Sequence, residues 1–351
     1  MNPNSVLTGI AANLLHAQKT WLITGVAGFI GSNLLEFLLK HNQLVVGMDN
    51  FATGHFRNLN DVQNNVDVIQ WNNFIFHEGD IRNLSDCEKA YDCSLNFDGQ
   101  IVDYVLHQAA IGSVPRSIDD PIFSHSNNIS GFLNILFCAK ERSVKKFVYA
   151  TSSSVYGDEP SLPKVESKMG TLLSPYALTK LTNELYAEVF GLNYGISTIG
   201  LRYFNVFGPR QDPEGAYAAV IPKWIKRFIH NETVEIYGDG KTTRDFCFIS
   251  NVIQANILAA TSDDSNVKNE VFNIAVGEQI NLMELALLIK ENLKEASIQS
   301  NFRIQNLDFR QGDIRHSLAN IDKAKELLFY SPTHSVKEGL KESMAWYLQD
   351  S

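Results

Sequence analysis

Tyr176 and Lys180 stand four residues apart, and Tyr176 follows Ser152 of the cluster Thr151-Ser152-Ser153-Ser154-Val155-Tyr156-Gly157 by 24 residues. Ser174-Pro175 is a helix-start signal, so phenol and ammonium lie one turn apart on one face of a helix. An ammonium held near a phenol favours the phenolate and lowers a pKa that is about 10 unperturbed. Such a tyrosine can take a proton near neutral pH, the task of an acid/base catalyst. A second set of residues suits phosphate. Gly25, Gly28 and Gly31 take the first, fourth and seventh places of a turn between an apolar run (Trp21, Leu22, Ile23) and a helical pattern. Glycines there let the backbone approach a pyrophosphate whose charge sits at the helix N-terminus. Asp49 ends the next apolar run, where a carboxylate accepts hydrogen bonds from an adenine ribose and repels a 2′-phosphate, favouring NAD over NADP. The spacing is GxxGxxG rather than GxGxxG, and it gains weight because strand, helix and terminal acid all stand where the motif needs them.

These groups need strands to carry them. After Gly31, the residues Leu34, Leu35, Leu38 and Leu39 recur at helical spacing, while the run 44–48 is too short and continuous for anything but a buried parallel strand. Runs at 74–76, 102–106, 146–150 and 196–201 read the same way. In an open parallel sheet ligands lie outside the carboxyl ends of the strands. To that edge the chain delivers a polar loop, Asn50-Phe51-Ala52-Thr53-Gly54, that could close over an adenosine. Asp80, after Gly79, reaches the adenine or caps a helix. Gln108-Ala109-Ala110 suits close approach of a dinucleotide, while His107 beside them reads as a satisfied core histidine. Asn128, within a helix expected from Pro121 to about Glu141, faces either the cofactor side or solvent. Beyond Arg202 the alternation weakens among Gly208, Pro209, Pro213 and Gly215. The fold expected is α/β, a Rossmann-type doubly wound parallel sheet spanning 1–202, followed by a smaller mixed α/β substrate-binding domain over 203–351, with 246–277 able to return to the first through a strand at 271–275.

The chain has 351 residues, 44% of them apolar, and a formal charge of -9. That length buries a substantial core, and the absence of any basic run argues against a nucleic-acid partner. Cys87, Cys93, Cys138 and Cys247 have no CxxC spacing and read as reduced packing thiols of a cytoplasmic protein. The leader 1–19 has neither a basic n-region nor a span long enough to cross a membrane. It reads as a helix packed on the domain or on a partner subunit.

With these residues in view, the chain from Trp21 onward resembles the extended short-chain dehydrogenase/reductase family, and within it the UDP-sugar 4-epimerases. The marks are Thr24-Gly25-Val26-Ala27-Gly28-Phe29-Ile30-Gly31-Ser32, Asp49-Asn50, Gly79-Asp80-Ile81, Ser152-Ser153-Ser154, Tyr176-Ala-Leu-Thr-Lys180, Arg202-Tyr203-Phe204-Asn205, Thr243-Arg244-Asp245 and Arg310-Gln-Gly-Asp313. The runs Gly112-Ser113-Val114-Pro115-Arg116-Ser117 and 215–222 are similar to the subgroup acting on UDP-N-acetylglucosamine and UDP-N-acetylgalactosamine, or their uronic acids, in surface polysaccharide synthesis. The resemblance implies that Ser152 bonds the sugar C4 oxygen, Tyr176 is the acid/base, and Lys180 binds the nicotinamide ribose. It implies cofactor contacts at Phe29, Ile30, Asn50, Thr53, Gly54, Ile81 and Tyr203, and substrate contacts at Ser113 and Arg116. It further implies that Asn205, Arg244 and Arg310 hold the diphosphate, Tyr237 stacks on uracil and Asp313 binds the uridine ribose. Ser317 stands where many relatives carry a bulkier residue on the sugar-pocket wall, and Ser153 and Ser154 add hydroxyls that could meet an acetamido group.

The activity expected is C4 epimerisation of a UDP-N-acetylhexosamine or its uronic acid, with hydride passing to bound NAD and back through a 4-keto sugar. Two rivals stand beside it. A dehydratase or decarboxylase of the same family would want an Asp or Glu inside 151–156, and none is there. A non-catalytic NAD sensor would have no use for Ser152, Tyr176 and Lys180 together. Apolar residues on more than one face of the helices at 121–141 and 175–192 (Phe132, Leu133, Leu136, Phe137; Leu185, Tyr186, Val189, Phe190) point to further packing. In the family these helices form the four-helix bundle of a homodimer, and a homodimer is expected here.

Overall fold

The computed structural model describes residues 14, 17–214, 218–298, 303–308 and 314–349. Strand β1 (Thr20–Thr24) enters the glycine turn and helix α1 (Phe29–Lys40), and β2 (Leu44–Asp49) returns beside it. Helix α2 (Phe56–Asn65), β3 (Phe74–Glu78), α3 (Leu84–Asp92) and β4 (Tyr104–His107) follow. Next come α4 (Val114–Asp119), α5 (Pro121–His125), a π-helical turn over Ser126–Gly131, and α6 (Phe132–Glu141). Strand β5 (Lys146–Ser152) delivers the serine cluster, α7 (Pro175–Tyr194) carries Tyr176, and β6 (Thr198–Tyr203) ends just before Asn205. The remainder is β7 (Val206–Phe207), α8 (Val220–Ile229), β8 (Val234–Tyr237), β9 (Thr243–Arg244), β10 (Cys247–Phe248), α9 (Ile249–Thr261), β11 (Glu270–Ile274), β12 (Ile280–Asn281), α10 (Leu282–Glu295), β13 (Ile304–Leu307), α11 (Asp322–Leu327) and α12 (Val336–Gln349).

Seven strands form one parallel sheet in the order β11-β6-β5-β4-β1-β2-β3. The order reverses at β1, which pairs with β2 on one side and β4 on the other, and this switch point is where a doubly wound sheet opens a crevice. Alternate strand residues feed opposite faces. Trp21, Ile23, Val45, Leu106 and Val148 pack with α1 and α9. Leu22, Val46, Val105, Phe147 and Tyr149 pack with α3, α6 and α7. Both faces are therefore covered by helices, which is why these strands read as continuous apolar runs. Strand β11 extends the sheet beyond β6, bringing the chain back to it after the stretch of weaker alternation.

The helix expected from Pro121 to about Glu141 is interrupted. The π-turn at Ser126–Gly131 inserts an extra residue and shifts the phase of the side chains that follow. A second feature holds the segment after Asn205 against the sheet. Arg210, with its side chain buried, pairs with Glu36 of α1 and Asp61 of α2, while Asn33 Nδ2 donates to Pro209 O at 3.0 Å and Asp212 meets His55 at 3.0 Å. Of the leader, Leu14 is described and is buried, its carbonyl accepting from Gln43 Nε2. The four cysteines are unpaired. No helix among the described residues is long and apolar enough to cross a membrane.

Candidate active site

Three elements build the first part of the site. Gly25 has φ +72°, and its amide donates to Met48 O at 2.8 Å, docking the turn on β2. A Cβ at Gly31 would lie 2.1 Å from Gly25 O, and one at Gly25 would lie 2.8 Å from Ala109 N, so only glycine lets α1 and β4 close on the turn. The first turn of α1 carries no acid, leaving its partial positive charge for a ligand. Asp49 is buried and accepts from Ala27 N (2.9 Å) and Phe51 N (2.8 Å). Burial holds its carboxyl above the ordinary range, against the pull of those amides.

A cavity of about 310 Å³ opens along this edge. Gly25, Gly28, Phe29, Ile30 and Gly31 line it from the turn, Asp49, Asn50, Thr53 and Gly54 from the β2 loop, and Ile81, Gln108, Ala109 and Ala110 from the ends of β3 and β4. The cradle that a Cβ would fill and the carboxylate at its far end fit the diphosphate and ribose of NAD.

Five residues expected on the cofactor are not among those lining this cavity. Asp80 is gripped by the Arg82 guanidinium and by Asn50 Nδ2 at 3.0 Å, which keeps its carboxyl below the usual range. Asn83, not Asp80, caps α3. Asn128 is buried, accepts from Ile111 N at 2.7 Å and donates to Ile111 O at 3.0 Å, so its amide clamps the loop after β4. The residue on the cavity wall is Asn127, because the π-turn displaces the register by one position. Tyr203 packs behind the cavity-wall residue Gln108, its hydroxyl donating to Gln108 Oε1 at 3.3 Å. Tyr176 and Lys180 belong to the next part of the site. His107 is buried beside Phe132 and Phe147, with Nδ1 2.8 Å from Thr24 Oγ1, and burial drives its pKa down to about 3.

The acid/base group stands at the start of α7. Ser174 caps the helix, and Ser117 Oγ accepts from Tyr176 N at 3.0 Å, tying α4 to that first turn. The cap of α4 is Ser113, at φ +90°, a conformation that is strained for a residue with a side chain. Ser113 follows Gly112 of the cavity wall, and its Oγ accepts from Arg116 N at 3.4 Å. Lys180 is buried with Nζ 2.9 Å from Ala150 O and 6.0 Å from the centroid of the Tyr176 ring. Burial lowers its pKa to about 8, against the nearby Glu184 carboxylate. The expected depression of the tyrosine does not arise in the chain by itself. Burial raises the Tyr176 phenol above its ordinary value, and the hydrogen bond to Ser152 only partly offsets it. The ammonium is directed at a backbone carbonyl rather than at the phenol. Ser153 is half-buried, but the hydroxyl of Ser154 is shut away from solvent without a partner among the described residues, so it does not offer itself to a sugar.

A second cavity, of about 190 Å³, contains Asn205, Tyr237 and Arg244. Arg244 Nη1 donates to Thr243 O at 2.9 Å and Arg315 O at 3.3 Å, which fixes the guanidinium. Asn205 Nδ2 donates to Asp245 O at 3.0 Å. The buried Asp245 accepts from Val276 N, Gly277 N and Ala319 N, pinning the loops around it. Ser317 is buried, with its amide on Thr243 O at 3.2 Å, next in sequence to Arg244. Arg310 and Asp313 lie outside the described residues. Sequence reasoning missed Val220, Lys223 and Trp224, which face this cavity from α8. Their i, i+3, i+4 spacing was a signal that they share one helix face.

A family model described as the NAD dependent epimerase/dehydratase family matches residues 21–275. The solved UDP-N-acetylglucosamine 4-epimerase from Methanobrevibacter ruminantium M1, in complex with UDP-N-acetylmuramic acid, is similar at 36% identity with a TM-score of 0.84, over 95% of this chain and 99% of that one. The UDP-glucuronic acid 4-epimerase from Bacillus cereus, in complex with UDP-glucuronic acid and NAD, gives 32% and 0.82, over 95% of this chain and 100% of its own. A UDP-glucuronate 4-epimerase from Thermodesulfobacterium geofontis is 32% identical over 331 residues, 93% of this chain and 95% of that protein.

Proposed function

This chain belongs to the NAD dependent epimerase/dehydratase family, and from that membership and the site's geometry we propose that it is a UDP-sugar 4-epimerase acting on a UDP-N-acetylhexosamine or its uronic acid. The carrying observation is the gathering of Ser152, Tyr176 and the buried Lys180, whose Nζ lies 6.0 Å from the centroid of the Tyr176 ring, at the edge of the parallel sheet. NAD, when bound, supplies the acceptor and donor of the C4 hydride. The chain's own residues move the proton and hold the sugar. Ser152 and Tyr176 converge on the O4 position, where Tyr176, as the phenolate, takes the hydroxyl proton and, as the phenol so formed, later returns it. Lys180, charged below about pH 8, keeps a positive charge beside the reacting groups. Asn205 and the fixed guanidinium of Arg244 take the diphosphate, with Arg310, and Tyr237 takes the base, with Asp313 on the ribose. Held by its nucleotide, the sugar can present either face to the same phenol, so placement does much of the work. Segment 151–156 carries no carboxylate that could protonate a leaving group, which disfavours a dehydratase.

Ser317 favours the N-acetylated or carboxylated substrates by leaving room on the wall, since exclusion by a bulky residue is a common route to specificity. The test compares kcat/KM for UDP-N-acetylglucosamine, UDP-glucuronic acid, UDP-N-acetylglucuronic acid and UDP-glucose in wild type and Ser317→Tyr. N-acetylated sugars should be turned over fastest by wild type. The substitution should reduce their kcat/KM relative to UDP-glucose by about tenfold or more. A wild-type preference for UDP-glucose would overturn the substrate reading.

A further inference from the structure

The second cavity holds a cation that none of the expected roles uses. Lys223 lines it together with Tyr237, Trp224 and Glu235. Of the three basic residues on α8, Lys226 pairs with Glu214 and Arg227 with Glu235 at 3.3 Å. Lys223 pairs with no carboxylate among the described residues, although it is half-buried and Glu235 lies on the same wall.

The topology says what Lys223 faces. Helix α8 ends at Ile229 and β8 begins at Val234, so the two run back along each other as neighbours. Arg227 near the end of α8 reaches Thr233 O at 2.9 Å and Glu235 at the start of β8. One helical turn earlier on α8 is Lys223, and two residues further along β8, on the same strand face, is Tyr237. Lys223 therefore stands beside Tyr237, at the end of the cavity away from the Arg227–Glu235 pair.

We propose that Lys223 is a specificity-determining residue that reads the base of the nucleotide, its ammonium donating to the 4-carbonyl of a uracil stacked on Tyr237. This rests on the reading of the cavity as the uridine site. An ammonium is a donor with no acceptor. It matches the carbonyl at position 4 of uracil and opposes the amino group that cytosine carries there, so it selects between two bases of the same size. The 2-carbonyl and the diphosphate, common to both nucleotides, give no such selection.

The experiment measures Kd for UDP and CDP by calorimetry on the purified, NAD-loaded enzyme, in wild type, Lys223→Met and Lys223→Gln, with circular dichroism to check that each variant is folded. Wild type should bind UDP at least about tenfold more tightly than CDP, the range of a hydrogen bond to a charged group. Lys223→Met should weaken UDP by a similar factor and leave CDP within about twofold, so that the preference collapses. Lys223→Gln, whose amide can still donate, should retain part of it. Equal weakening of UDP and CDP would place the ammonium on a group both share and overturn the proposal, as would an unchanged UDP/CDP ratio. Failure of wild type to bind UDP at all would instead remove the uridine reading of the cavity, and the proposal with it.

Discussion

At the scale of single residues the site sets burial against hydrogen bonding, and burial dominates. Tyr176 is raised by it and Lys180 lowered to about 8, so the phenol holds its proton more firmly than the ammonium does, the reverse of the order in the free side chains. If the phenol is the proton carrier, Tyr176→Phe should fold normally, keep its NAD and lower kcat by at least about a hundredfold. Turnover near wild type would remove Tyr176 from that role. His107 shows the same force without a catalytic use. Its folded pKa of about 3 lies below the unfolded value of about 6.5. Between those values the unfolded chain binds a proton that the folded chain does not. The associated stability is present above about pH 6.5 and is lost as pH falls toward 3, amounting to about 2 kcal/mol by pH 5. Urea unfolding at pH 7.5 and pH 5 should therefore show a smaller acid loss in His107→Gln than in wild type. Equal losses would mean that His107 does not stay neutral in the fold.

At the scale of elements, the glycine turn is where α1, β2 and β4 come within contact distance of one backbone. Gly31→Ala would place a Cβ 2.1 Å from Gly25 O, forcing α1 away from the turn. The expected outcome is protein that purifies with little NAD in an acid extract and melts several degrees below wild type, as about 2 kcal/mol of packing strain would produce. An NAD content equal to wild type would show that the cradle does not need that contact. The π-turn before α6 acts at the same scale. By inserting one residue it puts Asn127 on the cavity and Asn128 on the Ile111 backbone. Arg210, buried between Glu36 and Asp61, fixes the segment following Asn205 to α1 and α2.

At the scale of the whole molecule, α7 leaves an apolar stripe uncovered. Leu178, Leu185, Val189 and Leu192 are at least half exposed and share one face, with Ile122 of α5 and Phe137 of α6 also exposed. The other residues first assigned to this face divide differently: Phe132, Leu136 and Phe190 are buried within the chain, and Leu133 and Tyr186 are half-buried. A stripe of that kind fits a second copy of the chain packing helix against helix. Light scattering should give a dimer for wild type and a monomer for the double variant Leu185→Glu, Val189→Glu. A wild-type monomer at all concentrations would exclude the homodimer.

The pattern of residues along the chain was enough for the sheet and its glycine turn, because parallel strands buried on both faces are continuous apolar runs and close backbone approach admits only glycine. The Tyr176–Lys180 pairing was legible for a similar reason, since four residues are one helical turn wherever the helix lies. What the chain order could not express was direction and distance in space. The Lys180 ammonium bonds to Ala150 O, the Ser154 hydroxyl points inward, and Asp80 is occupied by Arg82, each through contacts between parts that the sequence does not relate. The shift from Asn128 to Asn127 needed a π-turn, which leaves no periodic mark because it interrupts the period. Lys223 became visible as a candidate ligand only once α8 folded back along β8, for an unpaired charge is defined by its neighbours, and those neighbours are set by the tertiary structure.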